Sequence, residues 1–199
     1  MLNQSHIKST YTYKLLTLVF WTSSSLALMA QNLYSAQGDA YQISNKEYVI
    51  TDNANFLQGA IWHNQPIDLS QDFWLAFELD FGCNLTGGGD GLAFVIQDVG
   101  TGLSPQGTGG NLAYNGISPS LVIEFDTFEG TSIGDPSYDH IAMNQNGDID
   151  HNSANNLAGP FPFDFTQPDV ENCNYLQLTI DYNASTNNLS LFYCGTFNG

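Results

Sequence analysis

The chain has 199 residues, of which three are Lys or Arg and 20 are Asp or Glu, so its formal net charge is −17. Such a surface repels phosphate groups, which argues against nucleic acid and anionic membranes as partners and favours cations. A hydrophobic fraction of 42%, with 13 Phe and 10 Tyr, excludes a disordered chain and is sufficient for one domain with a substantial core.

Residues 1–30 have the three parts of a secretory signal. Lys8 and Lys14 come first, the apolar stretch "LLTLVFWTSSSLALMA" follows, and Ala27 and Ala30 are small residues suited to cleavage. A membrane anchor is the alternative, but "TSSS" interrupts an apolar run that is shorter than the roughly 20 residues a bilayer requires. We therefore predict a signal peptide over 1–30, a domain over 31–199, and a secreted or cell-surface protein without membrane insertion. The domain keeps one basic residue, so its net charge is 1 − 20 = −19.

The rest of the chain is predicted to form short strands. "FWLAFELDF" at 73–81 alternates apolar and polar residues, as expected for a half-buried strand. "GLAFVIQDV" at 91–99 is continuously apolar, which is typical of a strand covered on both faces. "SLVIEFDTF" at 120–128 and "YLQLTIDYN" at 175–183 alternate again, and "NLSLFYC" at 188–194 is the expected hairpin partner of the latter. This pattern predicts an all-β sandwich or barrel.

Two glycine-rich loops separate these strands. They are "NLTGGGDG" at 84–91 and "GTGLSPQGTGGNLAYNGISPS" at 100–120. Loops of this length in a compact domain are commonly functional, and glycine lets a ligand approach main-chain N–H groups closely. We expect them to bind a ligand, with flexible spacers as the alternative.

The three cysteines indicate one disulfide and one remaining thiol. Cys83 and Cys173 each lie next to a predicted strand, and export would place them in an oxidising compartment. We predict that these two pair, which leaves Cys194.

Acidic residues cluster around the strand at 120–128. Glu124 and Asp126 lie on the same strand face, where two carboxylates repel each other unless a cation or protons lie between them. The next loop adds Asp135, Asp139 and His140. Carboxylates suit a hard cation such as calcium, whereas an imidazole suits a transition metal. The spacing predicts a site with both ligand types, and a solvated acidic loop is the alternative.

A catalytic interpretation of the same strand is also open. Glu124, Asp126 and Glu129 form a Glu-x-Asp-x-x-Glu pattern that resembles laminarinase-like retaining glycosidases, which are also β-sandwiches. Such enzymes hold two carboxyl groups about 5–5.5 Å apart, here Glu124 and Glu129. His63 and His151 have no evident partner and are predicted at the surface.

Three segments together resemble a known family. "GGGDGLAFVIQ", "TGGNLAYNGISPSLVIEFDTF" and "GDPSYDHIAM" are similar, in order and spacing, to the signature segments of the legume-type (L-type) lectins, the family of concanavalin A and peanut agglutinin. The resemblance runs from about residue 40 to the end. It implies a concanavalin A-like antiparallel β-sandwich (jelly roll), with the family's C-terminal strands missing from this chain. It also implies calcium-dependent binding of glycans or polysaccharides without catalysis, with a lectin-like adhesion or structural module as a further alternative.

The resemblance implies two metal positions. Glu124, Asp126, Asp135 and His140 would hold Mn²⁺ or another transition metal. Asp126 and Asp135 would hold Ca²⁺ together with the backbone carbonyl of Phe128.

It also implies a carbohydrate site beside the metals. Asp90, after a cis peptide bond from Gly89, would accept hydrogen bonds from sugar hydroxyls. Gly110 would donate its backbone N–H, and the Phe128 ring would stack on a pyranose. Gly130 occupies the position where the family has an asparagine that binds both calcium and sugar, so this position departs from the family pattern.

Overall fold

Regular structure in the described residues is almost entirely β-strand. The computed structural model describes residues 33–84, 87–163 and 169–195, and the predicted signal peptide lies outside these ranges. In chain order the strands are β1 (Tyr34–Gly38), β2 (Tyr41–Ser44), β3 (Glu47–Val49), β4 (Gly59–His63), β5 (Phe73–Asp80), β6 (Gly91–Gln97), β7 (Ser120–Asp126), β8 (His140–Gln145), β9 (Asn156–Pro162), β10 (Tyr175–Asn183) and β11 (Asn188–Gly195). One 3-10 helix, Gly109–Asn111, lies in the second glycine-rich loop. The all-β prediction is confirmed, and no helix in the described ranges is long and apolar enough to cross a bilayer.

Two antiparallel sheets form the main body. One has four strands in the order β6-β7-β8-β9, and the other has three in the order β11-β10-β5. The predicted hairpin of β10 and β11 is present, with Leu178 opposite Tyr193. Two small pairs, β1 with β4 and β2 with β3, come from the N-terminal part of the described chain.

The largest core cluster lies between these two sheets. Inward-facing side chains of β7 and β10, among them Ile123, Phe125 and Ile180, are at most 1% exposed. Alternate residues of β5 pack against them, as the alternation in "FWLAFELDF" predicts. Burial of apolar side chains from both sheets in one layer defines a β-sandwich.

The outer face of β6 and β7 is covered as well. Leu112, Tyr114 and Ile117 of the second glycine-rich loop form a second buried cluster with Val122 of β7, and Val95 of β6 packs against it. The strand at 91–97 is therefore covered on both faces, as its continuous apolar run predicts. Tyr114 of this loop also reaches Glu124, which lies on the same face of β7 as Val122.

The predicted disulfide between Cys83 and Cys173 is present. The backbone N–H of Cys173 donates to the carbonyl of Gly82, so the two chain segments are also joined by a main-chain hydrogen bond of 2.9 Å. Cys194, on β11, is free and exposed. The disulfide joins the chain just before the first glycine-rich loop to the segment that precedes β10.

Candidate functional site

Strand register brings distant parts of the sequence together at one end of the four-stranded sheet. Gly91, the first residue of β6, is opposite Asp126, the last residue of β7, and Asp126 is opposite His140, the first residue of β8. Asp90 immediately precedes β6, and its carbonyl accepts a hydrogen bond from the N–H of Thr127 at 3.0 Å. The acidic cluster and the first glycine-rich loop therefore meet at one edge.

Glu124 is the innermost carboxylate of the cluster. Its strand neighbours are Ala93 and Ala142, whose small side chains leave space beside it. The hydroxyl of Tyr114 donates to Oε2 at 2.5 Å, and the Nε2 atom of His151 contacts Oε1. Burial raises the pKa of Glu124, but the imidazoles of His140 and His151 and the Tyr114 hydroxyl outweigh it and lower the pKa to about 2. Glu124 is therefore a buried carboxylate held in its charged form.

The prediction that His151 lies at the surface is wrong. Its side chain is 2% exposed, its Nε2 contacts Glu124, and its Nδ1 lies 3.1 Å from Oδ1 of Asp135. Burial lowers the pKa of His151, but the carboxylates of Asp135 and Glu124 outweigh it and raise the pKa to about 10. The sequence gives no local sign of this contact, because His151 is 27 positions from Glu124 and on a different element.

Asp126 and Asp135 form the outer part of the cluster. The N–H of Phe128 donates to Oδ1 of Asp126 at 2.7 Å, and the N–H of Gly130 donates to Oδ2 of Asp135 at 2.8 Å. Burial is the largest cause and raises the pKa of Asp126 to about 7, against the lowering effects of the Phe128 N–H and of His140, and the carboxylates of Asp135 and Glu124 add to the rise. Each aspartate thus has one oxygen held by the backbone and another available to a ligand.

The donor atoms fit metal ions. Two groups, Glu124–His140–His151 and Asp126–Asp135–His140, each have ligand atoms within 4.8 Å of one another. Oδ1 of Asp135, Nε2 of His140 and Nδ1 of His151 are buried and make no hydrogen bond with any described residue. Because a buried polar atom without a partner costs free energy, a bound cation is the natural partner for this set. The alternative of a solvated acidic loop is wrong for Glu124, Asp126 and His140, which are 1–2% exposed.

The residues implied for carbohydrate binding surround this cluster. The Gly89–Asp90 peptide bond is cis, as the resemblance implied. A Cβ atom on Gly89 would lie 3.2 Å from the Cβ of Phe128, so the exposed Phe128 side chain rests against this loop. A Cβ atom on Gly109 would lie 3.7 Å from the carboxylate oxygens of Asp90, and Gly110 beside it faces open space. Burial raises the pKa of Asp90.

Gly130, which departs from the family pattern, lies close against the side chains of Asp135 and Ile133. A Cβ atom built on it would lie 2.5 Å from Oδ2 of Asp135 and 3.1 Å from the side chain of Ile133. A side chain at position 130 would therefore displace the Asp135 carboxylate and press against Ile133 in this loop conformation. The carboxylate oxygen that an asparagine would crowd accepts the backbone N–H of Gly130 instead.

Two acidic residues of the same run lie outside both donor groups. Asp139 accepts the N–H of Val170 through Oδ2 at 2.8 Å, which ties the loop before β8 to the segment before β10. Glu129 is exposed and belongs to neither group. Asp139 therefore has a structural role, and Glu129 lies at the surface outside the buried cluster of candidate metal ligands.

Glu171 is a further site residue that the sequence patterns do not indicate. Its side chain is buried, contacts Gly88, and accepts hydrogen bonds from the N–H of Gly89 and from the Thr127 hydroxyl at 3.4 Å. Burial, followed by the charges of Asp139 and a neighbouring aspartate, raises the pKa of Glu171 to about 7. Glu171 therefore supports the glycine-rich loop from beneath.

Solved structures with a similar fold are legume lectins. The metal-free form of lectin I-B4 from Griffonia simplicifolia aligns with a TM-score of 0.65 and 19% identity, over 85% of this chain and 76% of that chain. A Bauhinia forficata lectin in complex with GalNAc aligns with a TM-score of 0.64 and 19% identity, over 86% of this chain and 76% of that chain. Basic winged bean lectin with Tn-antigen aligns with a TM-score of 0.59 and 21% identity, over 85% of this chain and 76% of that chain. The fold is the concanavalin A-like β-sandwich.

The sequence comparisons define the family. Residues 27–197 match the legume lectin beta-barrel domain. A lectin from Leucomphalos mildbraedii is 31% identical over 178 residues, which cover 78% of this chain and 68% of that protein. The chain belongs to the legume-type (L-type) lectin family, as the three signature segments indicated.

Proposed function

We propose that this chain is a carbohydrate-binding lectin domain whose sugar site is held in shape by bound metal ions, and that it carries out no catalysis. The observation that carries the proposal is the buried cluster of carboxylates and imidazoles directly beneath the loop of Asp90. Two of the similar structures support glycans as the ligand class, because one is a complex with GalNAc and the other was solved with Tn-antigen.

In this proposal the metal ions supply positive charge to carboxylates that only the folded state crowds together. Asp126 and Asp135 hold Ca²⁺ through the oxygens that the backbone leaves free, with the backbone carbonyl of Phe128 as a further ligand. Glu124 and His140, with the same two aspartates, hold the transition metal. The loop that carries Phe128 and Gly130 is thereby tied to the end of β7.

The sugar lies above this cluster in the proposal. Asp90 accepts hydrogen bonds from sugar hydroxyls, and the open position of Gly110 lets its N–H donate to the ligand. The exposed ring of Phe128 stacks on the apolar face of a pyranose. Position 130 contributes only backbone because it is a glycine, whose N–H donates to Oδ2 of Asp135. Water or a neighbouring residue therefore replaces the usual asparagine contacts.

We further propose that the protein is secreted or displayed at the cell surface. The Cys83–Cys173 disulfide supports this, because disulfides persist in oxidising compartments. The predicted signal peptide over 1–30 has the same implication.

A glycan array with and without a chelator tests the central proposal, and two variants separate binding from catalysis. Asp90→Ala should abolish array binding, because each hydrogen bond to a charged acceptor is worth about 1.5–3 kcal/mol. Glu129→Gln, at an exposed carboxylate, should change it little.

The glycosidase alternative predicts another pattern for the same pair. If Glu129 were an acid/base residue, Glu129→Gln would reduce turnover by about 10²–10⁴-fold. Release of reducing sugar from a β-glucan by the wild type, lost in Glu129→Gln, would contradict the lectin proposal.

A further inference from the structure

The metal cluster of this chain contains a second imidazole. His140 and His151 lie edge to face, with ring centroids 5.0 Å apart and an interplanar angle of 84°. Nε2 of His140 is 3.8 Å from Oε1 of Glu124, the same oxygen that Nε2 of His151 contacts. When a metal ion lies about 2.0–2.2 Å from each of two ligand atoms, those two atoms lie roughly 3–4 Å from each other. Nε2 of His140 has this spacing from Glu124, and the ligand atoms of Glu124 and the two histidines all lie within 4.8 Å of one another.

A dedicated loop holds His151 in this position. The N–H of His151 donates to the carbonyl of Ile133 at 2.9 Å, which fixes its backbone against the loop that carries Asp135. Oδ2 of Asp148 accepts bonds from Ser153 at 2.7 Å and from Asn155 at 2.9 Å, so the loop closes on itself around His151. Hydrogen bonds within the loop therefore hold it together, and they satisfy the Asp148 carboxylate.

The second nitrogen of each ring lies near an oxygen of the kind that orients a metal-binding histidine, although only Nδ1 of His140 makes a hydrogen bond to it. Nδ1 of His140 lies 3.3 Å from the carbonyl of Tyr138, and Nδ1 of His151 lies 3.1 Å from Oδ1 of Asp135. Metal-binding histidines usually donate their other N–H to a carbonyl or carboxylate, which sets the tautomer and the ring orientation. Both rings can therefore present Nε2 to the same ion.

Imidazole content influences which metal such a position prefers. Sites rich in carboxylate and water suit Mn²⁺, whereas imidazole suits Zn²⁺, Cu²⁺ and Ni²⁺. Two histidines and one glutamate are also a known Zn²⁺ ligand set in proteins. We infer that His151 is a direct ligand of the transition-metal position and that this position selects Zn²⁺ over Mn²⁺ more strongly than a site with one histidine would. The inference rests on the proposed function, because it concerns a ligand of the same metal cluster.

A purely structural role for His151 predicts the opposite sign. A protonated His151 paired with Glu124 would occupy the carboxylate and repel a cation. Its removal would then strengthen metal binding or leave it unchanged. If His151 is a direct metal ligand, removing its side chain weakens metal binding.

The experiment measures Zn²⁺ and Mn²⁺ affinities of the stripped protein by competition with a chelating dye. The variants are His151→Ala, His140→Ala and, as a matched control, His63→Ala, at a histidine on β4 that belongs to neither donor group. His151→Ala should lower Zn²⁺ affinity by at least about tenfold, since even the loss of an outer-shell partner costs about 10–100-fold. Mn²⁺ affinity should fall less, and His63→Ala should change neither.

A spectroscopic measurement on the wild type keeps the test independent of variant folding. Pulsed EPR of the Cu²⁺-loaded protein counts coordinated imidazoles and should report two. If His140→Ala weakens Zn²⁺ binding but His151→Ala does not, or if one imidazole is counted, this inference fails while the metal cluster stands. If none of the histidine variants affects metal binding and no imidazole is counted, the proposed function fails as well.

Discussion

Tyr114→Phe is the sharpest test of how the buried cluster is supported. The change removes one oxygen and keeps the aromatic ring in the cluster formed by the second glycine-rich loop. That oxygen donates to Glu124 at 2.5 Å and accepts from Nδ2 of Asn144 at 3.1 Å. Both partners are at most 2% exposed, so water does not replace the lost bonds.

The magnitude follows from these two bonds. A hydrogen bond to a charged group contributes about 1.5–3 kcal/mol, and an ordinary one about 1 kcal/mol. The Oδ1 atom of Asn144 already has no hydrogen-bond partner among the described residues, so the variant leaves both ends of that amide unsatisfied. We expect Tyr114→Phe to lower the free energy of unfolding of the metal-free protein by about 2.5–4 kcal/mol.

Urea unfolding in the presence of a chelator measures this loss, and dye competition measures the accompanying change in metal affinity. Tyr175→Phe, at a residue that is 61% exposed, is the control and should stay within about 0.5 kcal/mol of the wild type. Transition-metal affinity of Tyr114→Phe should fall by about 10–100-fold, as for other outer-shell changes. A variant with wild-type stability and wild-type metal affinity would refute the assigned role of the hydroxyl.

The remaining predictions concern metals, the disulfide and pH. Chelation should lower the melting temperature, because a metal ion that binds Asp126 and Asp135 only in the folded state adds about 2.7 kcal/mol to the free energy of unfolding at a hundredfold excess over Kd. Calorimetry of stripped and reloaded protein measures this difference. Identical melting curves would count against the cluster as a metal site. Replacing Cys83 and Cys173 together by serine should cost about 4–5 kcal/mol in the chain-entropy model, since the bridge spans 90 positions; denaturant midpoints test it. The pKa of Glu171 is raised from 4.5 to about 7, so its contribution to stability is complete below pH 4.5 and is lost as the pH rises through 7. The stability difference between Glu171→Gln and the wild type, at fixed metal content, should therefore vary with pH over this range, and a constant difference would contradict the burial of this carboxyl.

The strands that the sequence predicts either alternate clearly or, as in β6, form a continuous apolar run. β5 and β10 expose every second residue to the core, so their period of two is visible in the sequence. β9 is not predicted because it contains Gly159 and Pro160, residues that usually weaken a strand assignment. β1 to β4 are also not predicted, because strands of three to five residues are too short to show a period.

The candidate site was predictable where its residues are local. Glu124 and Asp126 share one strand, and Asp135 and His140 follow within one loop, so their spacing carries the signal. Three other site residues come from separate parts of the chain. The second glycine-rich loop carries Tyr114, the turn before β9 carries His151, and the disulfide-linked segment carries Glu171. The spacing of residues along the sequence does not indicate contacts of this kind, because they form only when distant segments pack together.

The sulfur chemistry of this chain affects how the protein is handled in the laboratory. Cys194 is an exposed thiol, whereas the Cys83–Cys173 bridge lies at the base of the loop that carries Asp90. Reducing agents that keep the thiol from forming cross-linked dimers would also open the bridge, and some of them chelate metals. Expression in a reducing cytoplasm would have the same effect on the bridge. A Cys194→Ser protein, purified from an oxidising compartment without reductant, avoids both problems and is the appropriate starting material for every metal and sugar measurement described above.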